Sequence, residues 1–279
     1  MNDLSISTER LVEICRRIAS KRFPAGEKSA VYVMGGKKRI SMSCPYCGDS
    51  ADPRKHRGNL YTDFLFFKCS EEKAYMLGFI FADGYNNERW HKLEIRLAKQ
   101  DKDILIKFSK ILLNENNVKE YDDIVGLYVV SQDISSDLKK LGCPAKKTFI
   151  LKFPDLPENL CHHFIRGYFD GDGMLAIYQP NMKKNKYAEF SICSTKEMLD
   201  EIGLYIADLG VNFKINKRHK MRNNNNFTLR VGGSQQIKKV CDFLYKNAHI
   251  YLNRKYEKYM ELIKMSKSFR RPYKIKVTP

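Results

Sequence analysis

The chain has 279 residues, enough for one or two domains with a buried core. Lys and Arg number 50 against 32 Asp and Glu, a formal net charge of +18, and this excess favours a polyanionic partner, nucleic acid first. No apolar run reaches the roughly 20 residues of a membrane span, and the segment Met1–Ser20 has no signal-peptide core. We therefore expect a protein that is cytosolic or lies wherever its gene is translated, is not secreted and has no membrane partner.

The first segment, residues 1–70, carries a cysteine pair that suggests chemistry. Cys44-Pro-Tyr-Cys47 has the spacing of one zinc-ribbon knuckle, and the sequence onward to Cys69 resembles the N-terminal zinc ribbon of phage-type DNA primases. A structural zinc site needs four ligands, and this segment offers three cysteines, so a zinc ion is expected only if another group such as His56 completes the tetrahedron. We interpret residues 1–70 as a truncated primase-like leader, read through from an upstream exon into an intron-borne gene.

The rest of the chain, residues 71–155 and 156–279, has the pattern of two copies of one unit. Each copy opens with an apolar segment of helical length that ends in Asp-Gly, at Ala74–Gly84 and at His163–Gly173. A glycine after the last helical residue is a stop signal, so both segments are predicted as helices that end at these dipeptides.

Strand and helix patterns then follow in the same order in both copies. In the first copy we predict strands at 92–97, 118–121 and 126–130, and helices at 102–113 and 134–141. In the second copy the predicted strands are 188–193, 211–218 and 227–231, and the helices are 196–209 and 235–245. The unit is predicted as αββαββα, an α+β fold in which helices cover one face of an antiparallel sheet and leave the other open.

The predicted open faces carry polar and mostly basic side chains. Residues of these types, projecting from strands, can reach base edges in the major groove of DNA. For a single strand an ordinary solvated face is the simpler explanation, but the repetition in both copies, together with the net charge, favours double-stranded DNA as the partner. The candidate DNA-binding residues are Lys92, Arg96, Lys214, Asn216, Arg218, Thr228 and Arg230.

Two acidic residues, Asp83 and Asp172, stand at equal positions in the two copies (172 − 83 = 89). Carboxylates are hard oxygen ligands that suit Mg²⁺. Brought together by pseudo-symmetry, they could hold a metal where scissile phosphates can also reach it, and such a metal polarises the phosphoryl oxygen and lowers the pKa of an attacking water.

Small residues indicate how the two acids could meet. Gly78 and Ala82 lie four apart in the first helix, and Gly167 and Gly171 lie four apart in the second. Residues at this spacing share one helix face, and small ones let two helix backbones approach closely. The sequence therefore predicts that the two apolar helices touch along this face, with an acid at the end of each.

Both helix segments resemble a known pair of motifs. Leu77-Gly-Phe-Ile-Phe-Ala-Asp-Gly84 and Ile165-Arg-Gly-Tyr-Phe-Asp-Gly-Asp-Gly173 are similar to the two signatures of the LAGLIDADG homing endonucleases, and the resemblance runs from Lys73 to roughly Met265. It implies a monomer in which subdomains 71–155 and 156–279, the latter with a basic tail, form a saddle of two antiparallel sheets over the DNA major groove.

The resemblance also implies roles for individual residues. Asp83 and Asp172 would be the catalytic ligands of Mg²⁺, with the backbone carbonyls of Ala82 and Gly171 nearby. Basic residues near the centre of such enzymes assist catalysis, and the candidates here are Lys147 and Lys255. Contact with phosphate, or simple surface charge, is the alternative role for these two lysines.

One departure from the motif is visible, since Phe81 stands where the second copy has Asp170. This position supports structure in the family more than metal binding, so we do not expect the change to inactivate the enzyme. The implied activity is Mg²⁺-dependent, site-specific hydrolysis of double-stranded DNA by an intron-encoded enzyme. An RNA maturase acting on its own intron RNA, or a DNA-binding regulator on the same fold, stays open as the alternative, although a binding module has no use for the two acids.

Overall fold

A computed structural model of the chain describes residues 70–113, 116–179, 186–218 and 224–268, together with two short strands in the leader, β1 (Val33–Met34) and β2 (Lys37–Lys38), which pair antiparallel. The predicted zinc ligands Cys44, Cys47 and Cys69, with His56, lie outside the described residues. Across the described ranges no helix combines the length and the apolar character needed to cross a membrane.

The first copy folds as an antiparallel sheet with helices on one side. Its elements are α1 (Glu71–Asp83), β3 (Gly84–Asn87), β4 (Lys92–Ala98), a 3-10 turn (Lys99–Asp101), α2 (Lys102–Leu113), β5 (Val118–Glu120), β6 (Ile124–Val130) and α3 (Gln132–Lys140). The strand order is β3-β4-β6-β5, and every pairing is antiparallel. This is the predicted αββαββα order.

The second copy repeats the same plan. Its elements are α4 (Glu158–Asp172), β7 (Gly173–Tyr178), β8 (Tyr187–Ser194), α5 (Lys196–Asp208), β9 (Phe213–Lys217), β10 (Phe227–Val231), α6 (Ser234–Tyr245) and α7 (Asn253–Ser268). Its strand order, β7-β8-β10-β9, is equivalent to that of the first sheet. Helix α7 has no counterpart among the described elements of the first copy.

The Asp-Gly dipeptides end the helices as predicted, but not through a left-handed glycine. Gly84 (φ −76°, ψ 150°) and Gly173 (φ −87°, ψ 161°) are extended, and each is the first residue of a strand. The chain therefore passes from helix to strand without a turn. A Cβ on Gly84 would stand 2.7 Å from the carbonyl oxygen of Ile80, so glycine is needed for space and not for positive φ.

Helix α1 lies at the centre of the molecule because it is apolar on every side. All residues from Ala74 to Phe81 are buried, as expected for a helix without a polar face. The strands beside it alternate, so that Leu93 and Ile95 of β4 face the helices while their neighbours face outward. One face of each sheet is covered by helices in this way, and the other face is left free of them.

Asp170 is a buried structural residue, in agreement with the role inferred for its position. Its carboxylate accepts hydrogen bonds from the hydroxyl groups of Tyr75 (2.6 Å) and Tyr245 (2.6 Å) and from the backbone N–H of Leu252 (2.8 Å). It therefore links α1, α4 and α6 to the segment before α7. The equivalent Phe81 is fully buried and occupies an apolar environment, so the two copies fill this position with different chemistry.

Candidate active site

Helices α1 and α4 form the most extensive contact between helices in the described part of the chain. Gly78 and Gly167 lie at the crossing, where a Cβ on Gly78 would overlap the carbonyl oxygen of Phe164, and a Cβ on Gly167 would overlap that of Tyr75. Phe164 and Tyr75 are themselves related by the same 89-residue offset as the two acids. The predicted contact through small residues is confirmed, and it is pseudo-symmetric.

The same contact brings Asp83 and Asp172 together at one end of the helix pair. Gly171, just before Asp172, faces Ala82 and Asp83 of the other helix. A Cβ on Gly171 would overlap that of Ala82 and would stand 3.3 Å from Oδ2 of Asp83. The carboxylate of Asp83 thus lies against the end of α4, close to Gly171, and Gly171 directly precedes the second acid, Asp172.

Asp83 and Asp172 are both exposed residues, but protein atoms near their carboxyl groups displace part of the surrounding water. This loss of water raises the pKa of Asp172 to about 6, and the nearby Asp83 adds to the effect. Loss of water also raises the pKa of Asp83, and the charges of Lys255, Lys147 and Arg254 oppose that rise. Loss of water disfavours the charged form of both carboxylates, and the charge of Asp83 adds to this at Asp172. A bound cation would therefore stabilise the charged pair.

A divalent cation fits the donors found here. Asp83 and Asp172 would be its side-chain ligands, because the helix contact brings these two carboxylates to one place. Mg²⁺ commonly uses one or two carboxylates and completes its shell with water and phosphate oxygens. The backbone carbonyl of Ala82 accepts a hydrogen bond from Nζ of Lys147 (3.2 Å) and keeps a second lone pair for a metal.

The two candidate lysines occupy related positions at the helix ends. Nζ of Lys147, from the loop after α3, donates to the carbonyl of Gly84, and Nζ of Lys255, from α7, donates to that of Gly173 (2.6 Å). Lys255 also donates to the carbonyl of Asp170 (2.8 Å), and burial lowers its pKa to about 8. Each lysine thus binds backbone carbonyls around the end of one helix and places positive charge beside the acids.

The comparison with protein families gives a match within the second copy. Residues 160–244 match the family described as a LAGLIDADG-like domain. The second copy therefore resembles a LAGLIDADG-like domain. No curated protein matches the sequence.

Solved structures extend the LAGLIDADG fold to both copies. The homing endonuclease I-GzeII, in complex with its DNA target, matches with a TM-score of 0.51 and 14% identity over 76% of this chain and 94% of that one. I-SmaMI bound to uncleavable DNA gives a TM-score of 0.52 and 14% identity over 73% of this chain and 90% of that one. At this identity the likeness establishes the fold, which is that of a LAGLIDADG homing endonuclease.

In the LAGLIDADG fold of this chain, the open face of the first sheet carries the predicted Lys92 and Arg96 on β4. Both form ion pairs with Glu94, at 2.6 Å and 2.9 Å, and both lie over the ring of Tyr128 on β6. Sequence reasoning missed Tyr128, although the buried Val125, Leu127 and Val129 indicate by alternation that it faces outward. The positive charges of Lys92 and Arg96 on the first sheet are thus partly neutralised by Glu94.

The second LAGLIDADG sheet is more strongly basic on its open face. Lys214 and Arg230 are directly opposite each other on β9 and β10, and both are exposed. Like charges in opposite positions destabilise a sheet, so this pair favours an anionic partner. Asn216 and Arg218 are also exposed, whereas Thr228 lies on the same face but is only 7% exposed.

Arg254 was also missed by sequence reasoning. Its guanidinium pairs with the buried carboxylate of Asp101 at 3.0 Å and joins the start of α7 to the first copy. Its charge also acts on Asp83. The sequence could not predict this ion pair, because nothing in the local pattern around Asp101 or Arg254 indicates that they meet. The pair depends on packing between segments that are distant in the chain.

Proposed function

We propose that this protein is a site-specific endonuclease that hydrolyses both strands of double-stranded DNA with Mg²⁺. The observation that carries the proposal is the meeting of Asp83 and Asp172 at the α1–α4 contact, flanked by Lys147 and Lys255. The relatives I-GzeII and I-SmaMI are homing endonucleases bound to DNA, which supports the same activity here.

The two acids and the two lysines have different roles in the proposed site. Asp83 and Asp172 would hold Mg²⁺, which when bound polarises a phosphoryl oxygen and makes water a stronger nucleophile. Lys147 and Lys255 are fixed by backbone carbonyls, so their positive charge stays close to the acids and to an incoming phosphate. These fixed charges offset the repulsion between the phosphate and the carboxylates.

We further propose that the protein is intron-encoded and acts as a monomer wherever its DNA target lies. A monomer is favoured because the two copies in one chain already supply both halves of the site. The primase-like leader supports insertion into a primase gene, whose uninterrupted form is therefore the candidate target.

The proposed activity is tested with a supercoiled plasmid that carries the uninterrupted gene. We expect linear product with Mg²⁺ and intact plasmid when EDTA removes the metal, with cutting restored by excess Mg²⁺. Cutting that continues undiminished in EDTA would contradict the metal mechanism. Tight, specific binding of this DNA without any cleavage in Mg²⁺ would support a regulator instead, and binding of the intron RNA alone would support a maturase.

Arg230 gives a separate test of the DNA-binding face. Because it is exposed opposite Lys214, we expect Arg230→Ala to weaken DNA binding by about 1–3 kcal/mol if it contacts a base. If it contacts a phosphate, the slope of log affinity against log salt should fall by about one. Fluorescence anisotropy at several salt concentrations measures both quantities.

Lys110→Ala is the matched control, because Lys110 is exposed on α2, in the helix layer behind the first sheet. We expect its DNA affinity and salt slope to equal those of the parent. If Arg230→Ala binds DNA with the same affinity and salt slope as Lys110→Ala, the second sheet is not part of the DNA-binding surface.

A further inference from the structure

The open face of the first sheet carries an acidic side chain between two basic ones. Glu94 on β4 shares this face with Lys92 and Arg96, two residues away on either side. Its carboxylate forms ion pairs with Nζ of Lys92 at 2.6 Å and with Nη2 of Arg96 at 2.9 Å. The side chain of Glu94 is only 14% exposed, whereas that of Arg96 is 60% exposed. The carboxylate is thus mostly covered, and the guanidinium that it holds faces solvent.

A second support for Arg96 comes from the neighbouring strand, β6. Gly126 lies directly opposite Arg96, and Tyr128 lies directly opposite Glu94. The ring of Tyr128 leans over Gly126, because a Cβ on that glycine would stand 2.7 Å from the tyrosine hydroxyl oxygen. This brings the ring centroid to 5.7 Å from Cζ of Arg96, close enough for a cation–π attraction. Arg96 is therefore held by a carboxylate and by a ring, so it has less side-chain freedom to lose when it binds a ligand.

The second sheet shows that the fold does not require this arrangement. The equivalent strand registers place Ser191 where the first sheet has Glu94, and Cys193 where it has Arg96. Serine and cysteine cannot form such an ion pair, and the strand order of the two sheets is nevertheless equivalent. A carboxylate on a face that approaches DNA repels phosphate, so Glu94 lowers the affinity for DNA in general. Its contribution to binding is therefore to be sought in discrimination between DNA sequences.

We propose that Arg96 binds a guanine in the DNA major groove and that Glu94 is a positioning residue for this contact. The inference rests on the proposed function, because it takes double-stranded DNA as the ligand. Guanine presents two acceptors, O6 and N7, in the major groove, and an arginine that binds both is the commonest specific contact. A guanidinium has five N–H donors, so a bond to Glu94 leaves enough donors for both acceptors. Without a guanine in reach, Arg96 stays paired with Glu94 and gains little from a phosphate.

The test measures binding to a labelled duplex that spans the insertion point of the uninterrupted gene, and to duplexes in which each base pair is replaced in turn. EDTA is present throughout, so that the DNA is not cut. For the parent we expect the change of one G·C pair to A·T to weaken binding about tenfold or more. In Arg96→Ala and in Glu94→Gln the same change should weaken binding by about twofold or less, while the other base pairs keep their order of importance. Tyr128→Leu should lie between the parent and these two variants.

Glu94→Gln should also bind a duplex of scrambled sequence more tightly than the parent does. The slope of log affinity against log salt should steepen by about one, because Lys92 and Arg96 are then released to bind phosphate. Glu120→Gln is the matched control, since Glu120 on β5 of the same sheet also forms ion pairs with two lysines, one of them Lys102 at the start of α2. It lies on the side that α2 covers, so we expect it to keep the base preferences of the parent.

Three results would overturn the inference. Arg96→Ala could weaken binding to every duplex equally, which marks a phosphate contact, or it could relax the preference at an A·T pair. Glu94→Gln could keep the full preference at the pair that Arg96→Ala relaxes. Circular dichroism shows whether each variant is folded, and Tyr128→Leu decides in place of Glu94→Gln if the latter is not. If the parent binds the gene duplex no more tightly than the scrambled one, the proposed function fails first, and the two failures are thereby distinguished.

Discussion

Asp83→Asn and Asp172→Asn are each expected to lower the rate of double-strand cleavage by about a thousandfold. The amide keeps the size of the carboxylate, so the helix contact stays intact, but it lacks the charge that binds a divalent cation. The unfolding midpoint in EDTA should stay equal or rise, because both carboxylates have a raised pKa in the folded protein. A carboxylate with a raised folded pKa destabilises the protein at neutral pH, and its removal relieves that cost.

Loss of activity without loss of stability is what separates a metal ligand from a structural residue. Asp200→Asn is the control, since Asp200 is an exposed residue of α5 paired with Lys196 and remote from the site by sequence and element. We expect it to cut like the parent. If Asp83→Asn and Asp172→Asn also cut like the parent, these two carboxylates do not hold the catalytic metal.

Gly78→Ala and Gly167→Ala are expected to destabilise the protein by about 3 kcal/mol or more, or to prevent folding. The added methyl group would overlap a backbone carbonyl of the opposite helix, and at Gly78 it would also stand 2.8 Å from the backbone nitrogen of Tyr168. Backbone cannot move aside as a side chain can, so the helices must separate. Urea unfolding followed by circular dichroism measures the loss.

Gly232→Ala provides the comparison, because a Cβ on Gly232, between β10 and α6, meets nothing within 4 Å. Its unfolding free energy should lie within about 0.5 kcal/mol of the parent. Should Gly78→Ala and Gly167→Ala cost no more than Gly232→Ala, the close helix contact would be wrong. A folded but separated helix pair would also lose cleavage, since Asp83 and Asp172 would then move apart.

The centre of the site was predictable because its signal is local and duplicated. Two apolar helices, each with small residues four apart and a terminal Asp-Gly, specify a face, a crossing and a pair of acids without knowledge of the rest of the fold. The alternating strands and amphipathic helices are local patterns too. Helix α2 was predicted at its observed bounds, and so was strand β10.

The parts of the fold and of the site that could not be predicted depend on contacts between residues that are distant in the chain. Strands β3 and β7 were not located, because they begin at the very glycine that was interpreted as a helix stop. The burial of Lys255 follows from the position of α7, which no local pattern fixes. The hydrogen bond that the buried Tyr168 of α4 donates to Oγ of Ser194 on β8 requires the register of β8 against β7 and the packing of α4 against these strands.

The central claim is that Asp83 and Asp172 share one metal centre, and anomalous diffraction from Mn²⁺ tests it most directly. Crystals of the protein bound to its target DNA, prepared with Mn²⁺ in place of Mg²⁺, should give anomalous density about 2.1 Å from oxygen atoms of both carboxylates. The same density should be lost or displaced in Asp172→Asn. Density bound by neither carboxylate, in crystals of a complex that goes on to cut its DNA, would contradict the account.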